Sequence, residues 1–180
     1  MTNVAYAAGL LDALLFAAQK HRNQRRKDAE ASPYINHPIA LAHLLASVGA
    51  VDDLDVLRAA ILHDTVEDTE TTEAELRERF GPVVAGIVME VTDDKSLPKE
   101  RRKALQVEHA PHKSAGAALV KLADKTCNLQ DIAAAPPADW SLERRQTYFD
   151  WALRVVEVLP PVSPPLRMAF DAAYARRPRV

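Results

Sequence analysis

The stretch ILHDTVEDT, residues 61–69, decides the fold and the chemistry that we expect of this chain. It continues an apolar helical run and then places four ionisable side chains within six positions. Residues four apart share one face of a helix, which predicts that His63 stacks on Glu67 and Asp64 on Asp68. An imidazole beside a carboxylate suits a divalent ion such as manganese, iron or zinc.

A solvated polar cap at a helix end is the alternative explanation of this stretch. Short acidic motifs arise by chance, but this one begins in the middle of a nonpolar face. Three crowded carboxylates repel one another unless a cation or a proton intervenes. We therefore expect a buried positive charge nearby and further ligands elsewhere in the chain.

Length and composition indicate one globular domain over residues 1–180. Hydrophobic residues make up 48% and charged residues 27% of the chain, as in soluble proteins with a full core. The single cysteine, Cys127, excludes an intramolecular disulfide and fits a reducing compartment. No apolar run reaches the roughly 18 residues of a membrane span, and no signal peptide is recognisable. We expect a cytoplasmic protein with no membrane partner, and the net charge of −2 argues against nucleic-acid binding.

Hydrophobic spacing predicts helices along the whole chain, and hence an all-α fold. The stripe expected to pack the first helix on the core is Leu10, Leu11, Leu14, Leu15 and Ala18. The segment 83–91 is rich in β-branched residues, but its spacing is helical. The predicted helices cover residues 6–21, 39–48, about 54–69, 73–80, 83–91, 98–109, 117–132, 141–159 and 166–174.

Two other segments supply candidate ligands for the same ion. His37 lies just ahead of the second predicted helix, a good place for a ligand, although capping or packing is the commoner role there. Asp124 interrupts the apolar face of a later helix, and a buried carboxylate needs a partner. With His63 and Asp64 they form a nitrogen and oxygen set that leaves positions open for water and substrate.

Two basic segments indicate either solvated surfaces or an anion site. Residues 20–27 (KHRNQRRK) hold five cations and a histidine, and residues 99–103 (KERRK) hold four cations. A charge run is usually a solvated face, whereas guanidinium groups bind phosphate oxygens bidentately. A substrate with several phosphates would explain both segments beside a carboxylate-rich metal site.

The pattern H…HD…D resembles the HD-domain metal-dependent phosphohydrolases. The stretches YINHP, ILHDTVEDT, VTDDK followed by LPK, and VKLADKTCNL are similar to those of the RelA/SpoT homologue hydrolases. Because no synthetase or regulatory region follows, the chain looks like the stand-alone small alarmone hydrolases of the metazoan SpoT homologue type. The resemblance implies a single HD-domain helical bundle with its catalytic core in about residues 10–151. Cys127 departs from the bulkier residue often found there, which affects only the expected pocket shape.

The resemblance also implies roles for individual residues. The ligands of one Mn²⁺ would be His37, His63, Asp64 and Asp124. Glu67 and Asp68 would position and deprotonate the attacking water. The substrate-binding residues would be Arg26, Lys27, Tyr34 and Asn128.

The implied reaction is hydrolysis of guanosine 3′,5′-bis(diphosphate), ppGpp or pppGpp, at the 3′-pyrophosphate, which gives GDP or GTP and pyrophosphate. Removal of the 2′-phosphate of NADPH is an alternative that the family also implies. A non-catalytic module that binds the alarmone is a third hypothesis, but it predicts loss of Glu67, Asp68 or a ligand, and all are present. The sequence leaves open the physiological substrate, the metal in cells, protein partners and the oligomeric state.

Overall fold

Helices form the architecture of residues 2–179, the part of the chain that the computed structural model describes. In this range, the only extended pairing is an isolated bridge between Arg25 and Pro33. The all-α prediction is therefore confirmed. Within the same range, no helix has both the length and the apolar character needed to cross a membrane. The helices are α1 (Asn3–Lys20), α2 (Asn36–Ser47), α3 (Leu54–Leu62), α4 (Thr65–Asp68), α5 (Glu73–Phe80), α6 (Pro82–Val91), α7 (Lys99–His109), α8 (Ala115–Ala134), α9 (Leu142–Glu157) and α10 (Pro164–Tyr174), with a 3₁₀ turn at Ala110–His112.

Local sequence signals begin several of these helices where they are expected. The Asp53 carboxylate caps α3 by accepting the backbone N–H of Asp55 at 2.9 Å. The Thr72 hydroxyl caps α5 by accepting the N–H of Glu75 at 3.2 Å. The β-branched segment forms α6, so helical spacing outweighs local propensity there.

The central element of the bundle is α8, which contacts α2, α3, α6, α9 and α10. Most of its side chains between Ala117 and Cys127 are buried, including those of Lys121, Asp124 and Lys125. These contacts bring the start of α2, the end of α3 and the middle of α8 together. The three elements that carry the candidate ligands thus meet at one place in the core.

The expectation that the HD motif lies within one continuous helix is wrong. The helix α3 ends at Leu62, and His63 and Asp64 form a turn before α4. Asp64 has φ −100° and ψ −1°, which lies in the sparsely populated bridge region of backbone space. His63 contacts Asp64, whereas Glu67 accepts the N–H of Asp93 in the loop after α6, so the predicted stacking of His63 on Glu67 does not form.

Two smaller expectations about helix placement are also wrong. His37 lies in the first turn of α2 rather than ahead of it, because α2 begins at Asn36. Leu11 and Leu15 are 62% and 57% exposed, so they are not part of the buried face of α1. Small residues and one phenylalanine form that face instead: Gly9, Ala13, Phe16 and Ala17.

Candidate metal centre and active site

Two histidines and one aspartate form a buried cluster where α2, α3 and α8 meet. Ligand atoms of His37, His63 and Asp124 lie within 4.8 Å of one another. His37 Nε2 is 3.2 Å and His63 Nε2 is 3.9 Å from Asp124 Oδ1. An imidazole and carboxylate set of this kind can hold a divalent ion. The structure therefore brings together three of the four predicted ligands.

The hydrogen bonding of His63 tests whether the cluster fits a cation. Its Nδ1 lies 2.8 Å from the carbonyl oxygen of Ala60 and donates to it. A carbonyl that fixes one ring nitrogen is a common partner of a metal-binding histidine, and it leaves Nε2 directed at the cluster. Burial would lower the pKa of His63, but Asp64 and Asp124 outweigh burial and raise it. A positive charge at Nε2, whether a proton or a metal ion, is thus favoured.

Asp64 lies beside this cluster and is held by a different contact. Its Oδ2 is 2.9 Å from His63 Nε2, although the pair lacks the directionality of a good hydrogen bond. The same oxygen accepts the hydroxyl proton of Tyr34. Burial would raise the pKa of Asp64, but the charge of a protonated His63 outweighs it and holds that pKa below its usual value. Asp64 is a carboxylate at the edge of the cluster, and its role as a ligand stays a prediction.

Glu67 lies on α4 and lines the same cleft as the cluster. Its Oε2 accepts the backbone N–H of Asp93 at 3.1 Å, and its Oε1 is 3.7 Å from the guanidinium of Arg102. Burial raises the pKa of Glu67 and outweighs the hydrogen bond from Asp93, which lowers it; the neighbouring carboxylate of Asp64 adds to the rise. A raised pKa suits a carboxylate that must accept a proton near neutral pH.

Asp68 lies one residue further along α4 and has both carboxylate oxygens bonded. Its Oδ2 accepts from Gln24 Nε2 at 2.8 Å. Its Oδ1 forms an ion pair with Lys95, which lies in the loop after α6. The two predicted catalytic carboxylates are therefore each fixed by a different part of the chain.

The buried positive charge expected near the carboxylates is Lys125. Its Nζ lies 3.2 Å from Asp124 Oδ2 and 4.3 Å from the centre of the Trp151 ring. A second buried lysine, Lys121, donates to the Val91 carbonyl at 2.9 Å, and burial lowers its pKa to about 8. Both lysines lie within one turn of Asp124, a spacing from which they could have been identified in the sequence.

A cleft of about 580 Å³ joins the cluster to the surface. A second cavity of about 610 Å³ shares several of its lining residues. The predicted substrate residues Arg26, Lys27, Tyr34 and Asn128 line both cavities. The cations of the first cleft are Arg26, Lys27, Lys99, Arg102, Lys103, Lys121, Lys125 and Arg144. Each basic segment thus contributes part of its cations to the cleft.

Several residues that line the cavities or contact the predicted catalytic pair were missed in the sequence analysis. Gln24 and Lys95 contact Asp68 from loops far away in the chain. Tyr148 lines both cavities, although its spacing indicates only a core position. Asn128, by contrast, is where the helical spacing places it, because its Nδ2 donates to Asp124 Oδ1 at 2.6 Å.

Replacing Glu67 by Gln is expected to stabilise the metal-free protein at pH 7. A carboxyl group whose pKa is raised by folding costs stability once the pH exceeds its unfolded-state pKa, because the folded state then resists its ionisation. Glu67→Gln should raise the free energy of unfolding by about 0.5–2 kcal/mol. The gain in the free energy of unfolding should be complete above the raised folded-state pKa of Glu67. It should vanish as the pH falls below the ordinary pKa of a glutamate.

Urea unfolding of the wild type and the variant across this pH range measures the effect. Glu78→Gln, on the exposed side of α5, is the matched control and should change little. A Glu67→Gln protein that is less stable than the wild type at pH 7 would contradict the electrostatic account of this site.

Comparison with known proteins agrees with the geometry. The sequence pattern of the HD domain matches residues 13–154. The chain is 54% identical to the human guanosine-3′,5′-bis(diphosphate) 3′-pyrophosphohydrolase MESH1 over 171 residues, 95% of this chain and 96% of that protein. Its identity to the Danio rerio protein of the same name is 57% over 157 residues, 87% of each chain.

A solved structure is also similar to this chain, with a TM-score of 0.91 and 45% sequence identity. It covers 94% of this chain and 96% of its own, and is described as a metazoan orthologue of SpoT that hydrolyses ppGpp and plays a role in starvation responses. The chain therefore belongs to the HD-domain family and, within it, to the MESH1-type proteins.

Proposed function

We propose that this protein is a Mn²⁺-dependent hydrolase that cleaves ppGpp or pppGpp at the 3′-pyrophosphate, giving GDP or GTP and pyrophosphate. One observation supports the proposal: a single cleft is lined by the three kinds of group that the reaction needs. They are the buried cluster of His37, His63 and Asp124, the pair Glu67 and Asp68, and many cations. A substrate with several phosphates matches the cations. The names of the MESH1-type relatives support the same reaction.

The metal site would use the four predicted ligands, with Asp64 completing the buried cluster. When bound, a divalent ion supplies Lewis acidity, which lowers the pKa of a water and offsets phosphate charge. The hydrogen bond from His63 to the Ala60 carbonyl keeps the imidazole oriented for such an ion. The mixed imidazole and carboxylate set suits a divalent ion such as manganese, iron or zinc, and manganese is the one among them that the family resemblance implies.

The attacking water would be handled by the two carboxylates of α4. Glu67, with its raised pKa, accepts a proton from the water, and Asp68 orients it. The water oxygen bonds to phosphorus, the bond from that phosphorus to the ribose 3′-oxygen breaks, and the 3′-oxygen leaves with a proton. The leaving nucleotide is GDP or GTP, and the other product is pyrophosphate.

The cations and aromatic side chains would bind the nucleotide. Arg26 is held at 2.5 Å by Asp131, and its guanidinium lies 5.8 Å from the centre of the Tyr34 ring. Lys27 lines the same cleft, and Asn128 is the predicted contact to the ribose region. The positive charges of these side chains offset the negative charge of the phosphates.

Turnover of ppGpp and of NADPH, measured side by side, tests the proposal. Metal-stripped protein should be inactive on ppGpp, and added Mn²⁺ should restore release of pyrophosphate in a stoichiometric ratio to GDP. Phosphate release from NADPH without turnover of ppGpp would instead establish the alternative reaction. Binding of ppGpp with turnover of neither substrate would contradict an enzymatic role and favour the non-catalytic module.

A further inference from the structure

The carboxylate of Asp68 is held on one side by Gln24 and on the other by the exposed side chain of Lys95. Lys95, its ion-pair partner, has a side chain that is 48% exposed. Gln24 has both backbone groups bonded: its N–H donates to the His21 carbonyl at 2.9 Å, and its carbonyl accepts from the Tyr34 N–H at 3.1 Å. Gln24 is therefore the fixed partner of Asp68.

The contacts of Gln24 determine which way its side-chain amide points. An ionised carboxylate only accepts hydrogen bonds, so Gln24 Nε2 must face Asp68, at 2.8 Å. Gln24 Oε1 then faces His21 Nδ1, at 2.6 Å. Because an amide oxygen only accepts, His21 must carry a proton on Nδ1.

The surroundings of His21 favour the neutral ring with this one proton. The residue is 2% exposed, and its Nε2 has no hydrogen-bond partner among residues 2–179. Burial lowers the pKa of His21, against smaller opposite effects of Gln24 and nearby aspartates. A proton on Nε2 would be a buried donor without an acceptor, which is costly.

The ring of His21 also packs behind a second active-site residue. Its centroid lies 4.8 Å from that of Tyr34, at an angle of 35°. Tyr34 in turn donates to Asp64 at the edge of the metal cluster. His21, which is the C-terminal cap of α1, thus contacts two residues that hold the predicted site. Tyr34 bonds Asp64 at the metal cluster, and Gln24 bonds Asp68 of the catalytic pair.

We propose that His21 and Gln24 are positioning residues for the reaction: His21 Nδ1–H fixes the amide of Gln24, and that amide sets the direction of the Asp68 carboxylate. The inference rests on the proposed function in its assignment of Asp68 to the attacking water. Neither residue reaches the reacting atoms. Their effect is to keep the carboxylate preorganised, which matters because small displacements of such groups cost rate.

A pair of isosteric substitutions separates positioning from packing. In His21→Asn, the amide nitrogen takes the place of Nδ1 and still donates to Gln24. In His21→Gln, it takes the place of Nε2 and does not. Both variants remove the ring that packs on Tyr34, so a purely structural role predicts equal losses.

We expect His21→Asn to keep kcat for ppGpp within about threefold of the wild type. His21→Gln and Gln24→Met should each lower kcat by about 10- to 100-fold, with a smaller change in KM. His43→Gln, at an exposed position on α2, is the control and should have no effect. Equal kcat values for His21→Asn and His21→Gln, whether both high or both low, would overturn the positioning role. The proposed function would still stand if the wild type hydrolysed ppGpp.

A second measurement does not depend on turnover. In the full ¹⁵N-labelled chain, with and without Zn²⁺ as a diamagnetic ion, the nitrogen shifts of His21 should show a protonated Nδ1 and an unprotonated Nε2 at pH 7. The Gln24→Met variant should shift the Nδ1 signal. An Nε2–H tautomer with an unprotonated Nδ1 would overturn the inference even if the wild type proved inactive on ppGpp.

Discussion

Replacing Glu67 by Gln and Asp68 by Asn together is expected to lower kcat for ppGpp by about 10²- to 10⁴-fold, the usual contribution of positioned proton transfer. Both amides keep the shape of the carboxylates but cannot take a proton from water. The Asp93 N–H and Gln24 Nε2 can still donate to the amide oxygens, so the local structure should persist. Steady-state kinetics with saturating ppGpp measures the loss.

The binding properties of this double variant distinguish loss of chemistry from loss of the site. The predicted ligands His37, His63, Asp64 and Asp124 are unchanged, so calorimetry should find Mn²⁺ and ppGpp binding close to the wild type. A variant with Glu78→Gln and Asp52→Asn, at exposed positions, carries the same chemical changes and should remain active. If the active-site double variant retained a tenth or more of the wild-type kcat, the roles assigned to Glu67 and Asp68 would be wrong.

The single variants should differ, because the two carboxylates are held differently. Glu67 has a raised pKa and is the better proton acceptor. Asp68 is bonded at both oxygens, by Gln24 and Lys95, as expected of a group that orients the water. We therefore expect Glu67→Gln to cost more in kcat than Asp68→Asn, within the loss of the double variant.

Helices were predictable from the sequence because their signals are local. The spacing of apolar residues identified α6 in spite of its β-branched composition. The capping residues Asp53 and Thr72 precede α3 and α5, which begin close to the predicted positions. The turn that His63 and Asp64 form between α3 and α4 could not be predicted in this way, because both residues are compatible with a helix. Their contacts with Tyr34 and Asp124, far away in the sequence, come instead from the packing of other elements.

The same distinction separates the predicted site residues from those that were missed. His63 and Asp124 were identified because a polar residue in an apolar segment is conspicuous, and His37 because of its place near the start of a predicted helix. The three do meet in the core. Gln24 and Lys95 lie in stretches noted for their charge or their family resemblance, but nothing local distinguishes these two residues from their neighbours. Their importance comes from contacts to Asp68 across 44 and 27 residues of chain. Such contacts follow from the fold and not from any spacing in the sequence.

Replacing Asp124 by Asn is expected to abolish turnover and to weaken Mn²⁺ binding by more than about 100-fold, since changes to mere supporting residues already cost 10- to 100-fold. The substitution should also destabilise the metal-free protein. Lys125 Nζ lies 3.2 Å from Asp124 Oδ2 and is 3% exposed, so it would lose its buried counter-charge. Breaking a buried ion pair costs about 3–5 kcal/mol. Calorimetry with Mn²⁺ and thermal unfolding measure the two effects.

A second variant separates the metal role of Asp124 from its role in the ion pair. Asp124→Asn combined with Lys125→Met removes both charges and places an apolar side chain against the Trp151 ring. Replacing a whole buried pair by apolar groups is often neutral for stability, so the thermal midpoint should recover while Mn²⁺ binding and turnover do not. Recovery of turnover together with stability would show that Asp124 serves the fold through Lys125 and is not a ligand. Loss of activity in a protein as stable as the wild type leaves metal binding as the function of this carboxylate.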